Sequence, residues 1–116
     1  MPVNEITALR KVGKLDEALE MALAELNSQP KSIWSKRNIS WVYYEIAKQN
    51  CLPEQFDFFS LNISKIVQLC LPEDEKIIFE NVAWQIVKMG FALLGYGNAD
   101  SGKFDSLFLF VREIDI

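Results

Sequence analysis

Proton transfer near neutral pH is most often the work of histidine, and this chain of 116 residues contains none. That removes the Ser-His-Asp and Cys-His arrangements that activate a hydroxyl or a thiol. Cys51 and Cys70 have no CxxC neighbour and too few companion ligands for a zinc site. The expectation is two buried or half-buried thiols rather than a disulfide or a redox pair. Gly97-Asn98-Ala99-Asp100-Ser101-Gly102-Lys103 has the glycine and lysine spacing of a phosphate-binding loop. Such a loop needs Ser or Thr after the lysine to hold magnesium. Here Phe104 follows, Asp100 adds a negative charge, and only 13 residues remain for the rest of a nucleotide-binding sheet. Glu73, Asp74, Glu75 and Glu80 read as a solvated helix face matched to the helix dipole, not as a catalytic carboxylate pair. The inventory therefore predicts no enzyme, no catalytic residue, no cofactor and no metal.

What remains is recognition, and the totals narrow its kind. A formal charge of −4 leaves no basic face to neutralise phosphates and argues against both nucleic acid and a membrane surface. No apolar run approaches the roughly 18 residues of a spanning helix. The first 30 residues are interrupted by Glu5, Asp16, Glu17, Glu20 and Glu25 and do not read as a signal peptide. The expected location is the cytoplasm, where the sequons at Asn38 and Asn62 are chance matches. Half of the residues are apolar, enough for one core, so the expectation is a single helical domain over 1–116.

Prolines and glycines divide the chain into the elements that would position recognition residues. Asn4 is a candidate N-cap for a helix over 4–12 that Gly13 ends. Leu15, Ala18, Leu19, Ala22, Leu23 and Leu26 recur at i, i+3, i+4, i+7, i+8 and i+11, a single-face helix over 15–27 closed by Pro30. Ser32 opens a long aromatic-rich helix to about residue 49. After the loop at 50–53, Phe59, Ile63, Ile66, Val67 and Cys70 stripe a helix over 54–70. Pro72 and its acids start another over 73–94. Two apolar sets line that fifth helix: Ile78, Val82, Ala83, Ile86 and Leu93, and Trp84, Val87 and Phe91. A helix apolar on both sides is expected to be covered on both. The segment 103–111 fits a short helix or a strand by spacing, and helix is preferred because no partner strand exists.

The stretch from Leu9 to Tyr44 resembles part of a tetratricopeptide array, whose repeats pair two helices in about 34 residues. The matching residues are Leu9, Gly13 at the tight turn, Leu15, Ala18 and Ala22 on the inner face, Leu26, and Pro30 at the end. In the next unit Ile39, Ser40 and Tyr43 fall at the large, small and aromatic positions. The match then drifts. Lys36 stands where a large apolar residue is usual, and residues 50–53 replace the glycine turn. Leu15-Asp16-Glu17-Ala18-Leu19 and the stretch from Lys36 to Tyr44 also resemble the N-terminal part of larger bacterial repeat proteins, which would make this chain the start of a longer one. The resemblance implies an all-α fold of five to six helices, antiparallel hairpins stacked in a right-handed array. Residues 4–49 would be its repeat-like part and 50–116 a divergent part.

In this family the first helix of each pair lines a concave groove. Carried over, that register places Trp34, Arg37, Asn38, Trp41 and Tyr44 in the groove with Thr7, Arg10 and Lys11 beside them. Trp, Tyr and Arg dominate binding hot spots, and such a groove suits a peptide with acids and an apolar anchor. In the competing reading, Trp41 and Tyr44 pack under the fourth and fifth helices as core. Chaperone-tail binding is not implied, because Val3 and Thr7 stand where its Lys and Asn would be. The expected function is thus a non-catalytic scaffold for a protein or peptide, for which Arg37→Glu should weaken binding and spare the fold. The alternative is a self-associating domain that pairs as a homodimer through Phe104, Leu107, Phe108 and Phe110.

Overall fold

A computed structural model describes residues 2–70, 74–95 and 101–114, apart from the side chains at 2–4, 101, 102, 104, 113 and 114. The chain is all-α, with six helices and no strand among the described residues. They are α1 (Pro2–Lys11), α2 (Leu15–Ser28), α3 (Ile33–Gln49), α4 (Phe56–Leu69), α5 (Lys76–Gly95) and α6 (Ser101–Ile114), with one 3-10 turn at Pro53–Gln55 before α4. The segment after residue 101 is helix, not strand. Asn4 lies inside α1 rather than capping it, because the helix already begins at Pro2.

The turn between α1 and α2 is a Schellman motif. Gly13 N–H donates to the Arg10 carbonyl at 3.2 Å and Lys14 N–H to the Leu9 carbonyl at 2.9 Å. Gly13 takes φ +84°, a left-handed conformation that suits a residue without a Cβ. Ser32 caps α3, its side chain accepting from Ser35 N–H at 3.3 Å. At the other end Asn50 Nδ2 donates to the Ile46 carbonyl at 2.8 Å and satisfies one of the orphaned C-terminal acceptors.

Helix α3 is the centre of the molecule. It packs against α2 and α4, its neighbours in sequence, and also against α1 and α5. Its buried residues, Ile39, Ser40, Val42, Tyr43, Tyr44, Ile46 and Ala47, therefore point in several directions. Ile6 of α1 and Leu15, Ala18 and Ala22 of α2 close one end of the core. Ala18 and Ala22 are fully buried, since small side chains let adjacent helices approach closely. Phe56, Phe59, Ile63 and Ile66 of α4 and Ile78, Phe79, Val82, Ile86, Met89 and Leu93 of α5 close the other. Helix α6 packs on α5 and α4, burying Leu107.

The structure corrects one expectation about α5. The helix is covered on one side only: Ile77, Trp84, Val87, Phe91 and Leu94 stand in solvent. The sequence shows no unbroken apolar run there, because Glu80, Asn81, Gln85 and Lys88 interrupt it. By length and composition alone, however, α5 is long and apolar enough to cross a membrane, as the core helix of a globular protein also can be. Its buried side is the part of the core that contacts α3.

Candidate functional site

Where α1, α3 and the start of α5 meet, two aromatic–cation pairs line one row of α3. Trp34, Arg37 and Trp41 are three and four residues apart and so share a helix face. The Arg37 guanidinium lies 4.6 Å from the centroid of the Trp34 ring, and the Arg10 guanidinium of α1 lies 5.2 Å from that of Trp41. Both are within cation–π range. Trp41 meets Tyr44 edge to face, with ring centroids 5.6 Å apart. Arg37 Nε also donates to Glu75 Oε1 at 2.6 Å. That ion pair ties α3 to the residue just before α5. Beside it runs a groove of about 550 Å³ bordered by Arg37, Trp41, Asp74, Lys76 and Ile77.

The predicted residues thus divide. Arg10, Trp34, Arg37 and Trp41 come together. Trp34 is 64% exposed, and Trp41 is half-buried. Tyr44 touches Trp41 but lies beneath the exposed row: it is 5% exposed, and its Oη accepts from Gln85 Nε2 of α5 at 3.4 Å. For Tyr44 the core reading holds, because α5 closes over that turn of α3. Asn38 also departs. Its Nδ2 lies 3.5 Å from Glu25 Oε1 of α2, and Ser35 Oγ donates to the same oxygen at 3.1 Å. The half-buried Glu25 carboxylate needs donors, and its second oxygen has none. Lys11 and Thr7 stand on α1, Lys11 exposed at the helix C-terminus, where a cation suits the dipole.

Glu75 was not singled out as a site residue by the sequence. It reads there as one acid in a solvated run, yet its side chain is only 10% exposed and is paired with Arg37. No local pattern announces a partner 38 residues away. The pair also changes the electrostatics of the groove, because Glu75 offsets the charge of Arg37. Lys76 on the groove border and Arg10 over Trp41 supply the remaining positive charge and Asp74 one negative charge. A second consequence concerns Arg37→Glu, which would set two carboxylates against each other at the α3–α5 contact, so its expected effect includes a loss of stability as well as of binding.

The other chemical candidates are dispersed. Glu73 lies outside the described residues, Asp74 and Glu80 are exposed, and Glu75 faces Arg37. Residues 97–100 of the glycine-rich segment also lie outside the described part. Lys103, at its end, sits 5.7 Å over the Phe56 ring. Both cysteines are free, Cys70 buried and Cys51 half-buried. Burial pushes both thiols above their ordinary titration range. Lys88 opposes this at Cys51, and the contact with Ser40 opposes it at Cys70. Such thiols are poor nucleophiles. Asn62 is buried, with Nδ2 donating to the Phe58 carbonyl at 2.9 Å, so the folded chain offers no glycan acceptor there.

Of the four residues expected to pair two chains, Leu107 is 5% exposed and Phe110 packs partly into the chain's own core. They cover α4 and α5 of the same molecule. Phe108 is 63% exposed. The Phe104 side chain lies outside the described residues. Compared with protein families, characterised proteins and solved structures, the chain matches none.

Proposed function

We propose that this chain is a non-catalytic scaffold that binds a peptide or protein segment along the row formed by Trp34, Arg37 and Trp41. The observation that carries the reading is Trp34. A tryptophan left 64% in water, stacked on an arginine that itself borders a groove, has the composition of a binding hot spot and no role in the core. The bound segment would place an apolar side chain against Trp34 and Trp41. Its carboxylates would face Arg10, Lys11 and Lys76, working in the cytoplasm and without a cofactor.

We further propose that the helices stack as tetratricopeptide hairpins do. Two features support this: the inward placement of Leu15, Ala18, Ala22, Ile39, Ser40 and Tyr43, and the packing of α3 on both α1 and α2. The later helices depart from the pattern, because the chief packing partners of α5 are α3 and α6 rather than α4.

The test uses fluorescent glutamate-rich peptides carrying one phenylalanine or leucine anchor. Binding should weaken at least about tenfold in Trp34→Ala, since hot-spot aromatics carry that much energy, and should fall with added salt. A peptide bound equally well by Trp34→Ala, or no binding of any peptide in the series, would remove this face as the site.

A further inference from the structure

The uncovered side of α5 has a period. Ile77, Glu80, Trp84, Val87, Phe91 and Leu94 alternate at spacings of three and four, the a/d seam of a coiled coil. All six are exposed, and the opposite face of the same helix is buried in the core, where α5 packs on α3 and α6. At the C-terminal half of the seam an apolar groove of about 240 Å³ opens between α5 and α6. It is bordered by Val87, Gly90, Phe91, Leu94, Phe108 and Val111. Trp84, Phe91 and Phe108 are 69%, 70% and 63% exposed. At 150–250 Å² for each aromatic, they alone leave on the order of 400 Å² of apolar surface in water. Soluble monomers rarely leave so large a contiguous patch uncovered. With Ile77, Val87, Leu94 and Val111 the patch approaches the roughly 800 Å² that each partner gives to a stable interface.

We propose that a second copy of this chain covers this face, with the two α5 helices antiparallel about a twofold axis at the level of Gln85 and Ile86. Charge decides both the occupant and its direction. Glu80 is the one charged residue of the seam and lies close to its centre line. A parallel pair would set Glu80 against Glu80 of the second copy, two carboxylates in an apolar layer. An antiparallel pair places Glu80 opposite Phe91 of the second copy and within one helical turn of Lys88 of the second copy, twice by symmetry. The same register sets Ile77 opposite Leu94, and Trp84 opposite Val87 at the mouth of the apolar groove. Glu80 then acts as polar seam residues do, fixing orientation at a cost in stability. A lipid surface is a poorer match, because Glu80 would be carried into the acyl region with the apolar stripe. The surface shares Phe108 with the C-terminal cluster suggested by the sequence but is centred on α5, because Leu107 and Phe110 are already used within the monomer.

The test is sedimentation equilibrium of the intact chain beside two exposed-site variants, Trp84→Glu and Glu80→Leu. Circular dichroism should show both still folded. The parent chain should dimerise at about 100 µM, where an interface of this size is populated. Trp84→Glu should lower the association constant at least about tenfold, and Glu80→Leu should raise it. Direction is read by oxidising Ile77→Cys and Leu94→Cys, separately and mixed, with the parent chain as the control for Cys51 and Cys70. An antiparallel pair cross-links only in the mixture. A parent chain that stays monomeric, a dimer that survives Trp84→Glu, or cross-links formed by each variant alone would overturn the proposal. So would flotation of the monomer with phosphatidylcholine–phosphatidylglycerol vesicles that Trp84→Glu abolishes, which would assign the face to lipid.

Discussion

Arg37 does two jobs. Its guanidinium stacks on Trp34, and its Nε holds the carboxylate of Glu75, which is 10% exposed. A carboxylate at that depth loses most of its hydration, and truncating its partner leaves that loss uncompensated. Arg37→Ala should therefore cost about 1–3 kcal/mol, less than a fully buried pair because Arg37 itself is a third exposed. Glu75→Gln should cost less, since it removes the charge along with its attraction. Urea unfolding of the two single variants and the double variant would show their coupling, and strictly additive losses would refute it. The thiols make the second prediction at this scale. Cys51 and Cys70 are held protonated by burial, so their folded values lie above their unfolded ones. The unfolded chain then releases protons first as pH rises. Stability is complete below the ordinary thiol range and declines through it and above. Alkaline unfolding of a Cys70→Ala variant should show a shallower decline than the parent chain.

At the scale of the element, the turn after α1 and the α1–α2 contact make opposite demands on side-chain size. Gly13 sits at φ +84° with open space where a Cβ would stand, so steric crowding is not its constraint. Backbone conformation is. Gly13→Ala should cost about 1–2 kcal/mol through left-handed strain alone, read as a lower Tm. Ala18 is the reverse case: its backbone is ordinary helix and its surroundings are closed, at 0% exposure. Ala18→Leu should cost about 1–3 kcal/mol or more by overpacking. Gly90 in the middle of α5 has neither constraint. A Cβ there meets Leu107 at 3.9 Å, ordinary contact, so Gly90→Ala should stabilise the monomer by about 0.5–1 kcal/mol. The helices themselves were readable from punctuation: Gly13, Pro30, Ser32 and Pro53 each stand within a residue or two of a real boundary. The start of α1 was not, because Asn4 is a good cap by type, yet the helix begins before it.

For the whole molecule the organising fact is the position of α3. With α1, α2, α4 and α5 around it, its amides should exchange most slowly of any helix, and those of α1 and α6 should exchange first. Hydrogen exchange followed by mass spectrometry measures this directly, and faster exchange in α3 than in α6 would contradict the packing. The molecule is elongated, 46 × 28 × 19 Å with a radius of gyration of 14.4 Å. The row of Trp34, Arg37 and Trp41 lies on α3 and the seam of Trp84 and Phe91 on α5, the two surfaces approaching each other only at Ile77, so peptide binding and self-association can be varied separately at residues away from Ile77. Trp34→Ala and Trp84→Glu should each affect one measurement and leave the other unchanged.

The sequence by itself determined the helical class, most of the helix limits and the inward faces of α2 and α4. Each of these follows from spacing within a few turns of chain, where periodicity and end signals act. It also marked Trp34, Arg37 and Trp41 as residues sharing one helix face. The tertiary structure decided which aromatic on α3 stays in water and which is closed over by α5, separating Trp34 from Tyr44. It decided that Glu75 meets Arg37, and that α6 covers one flank of α5 and leaves the seam open. Those outcomes depend on contacts between segments tens of residues apart. Their energies come from burial and charge pairing across helices, which no local pattern encodes.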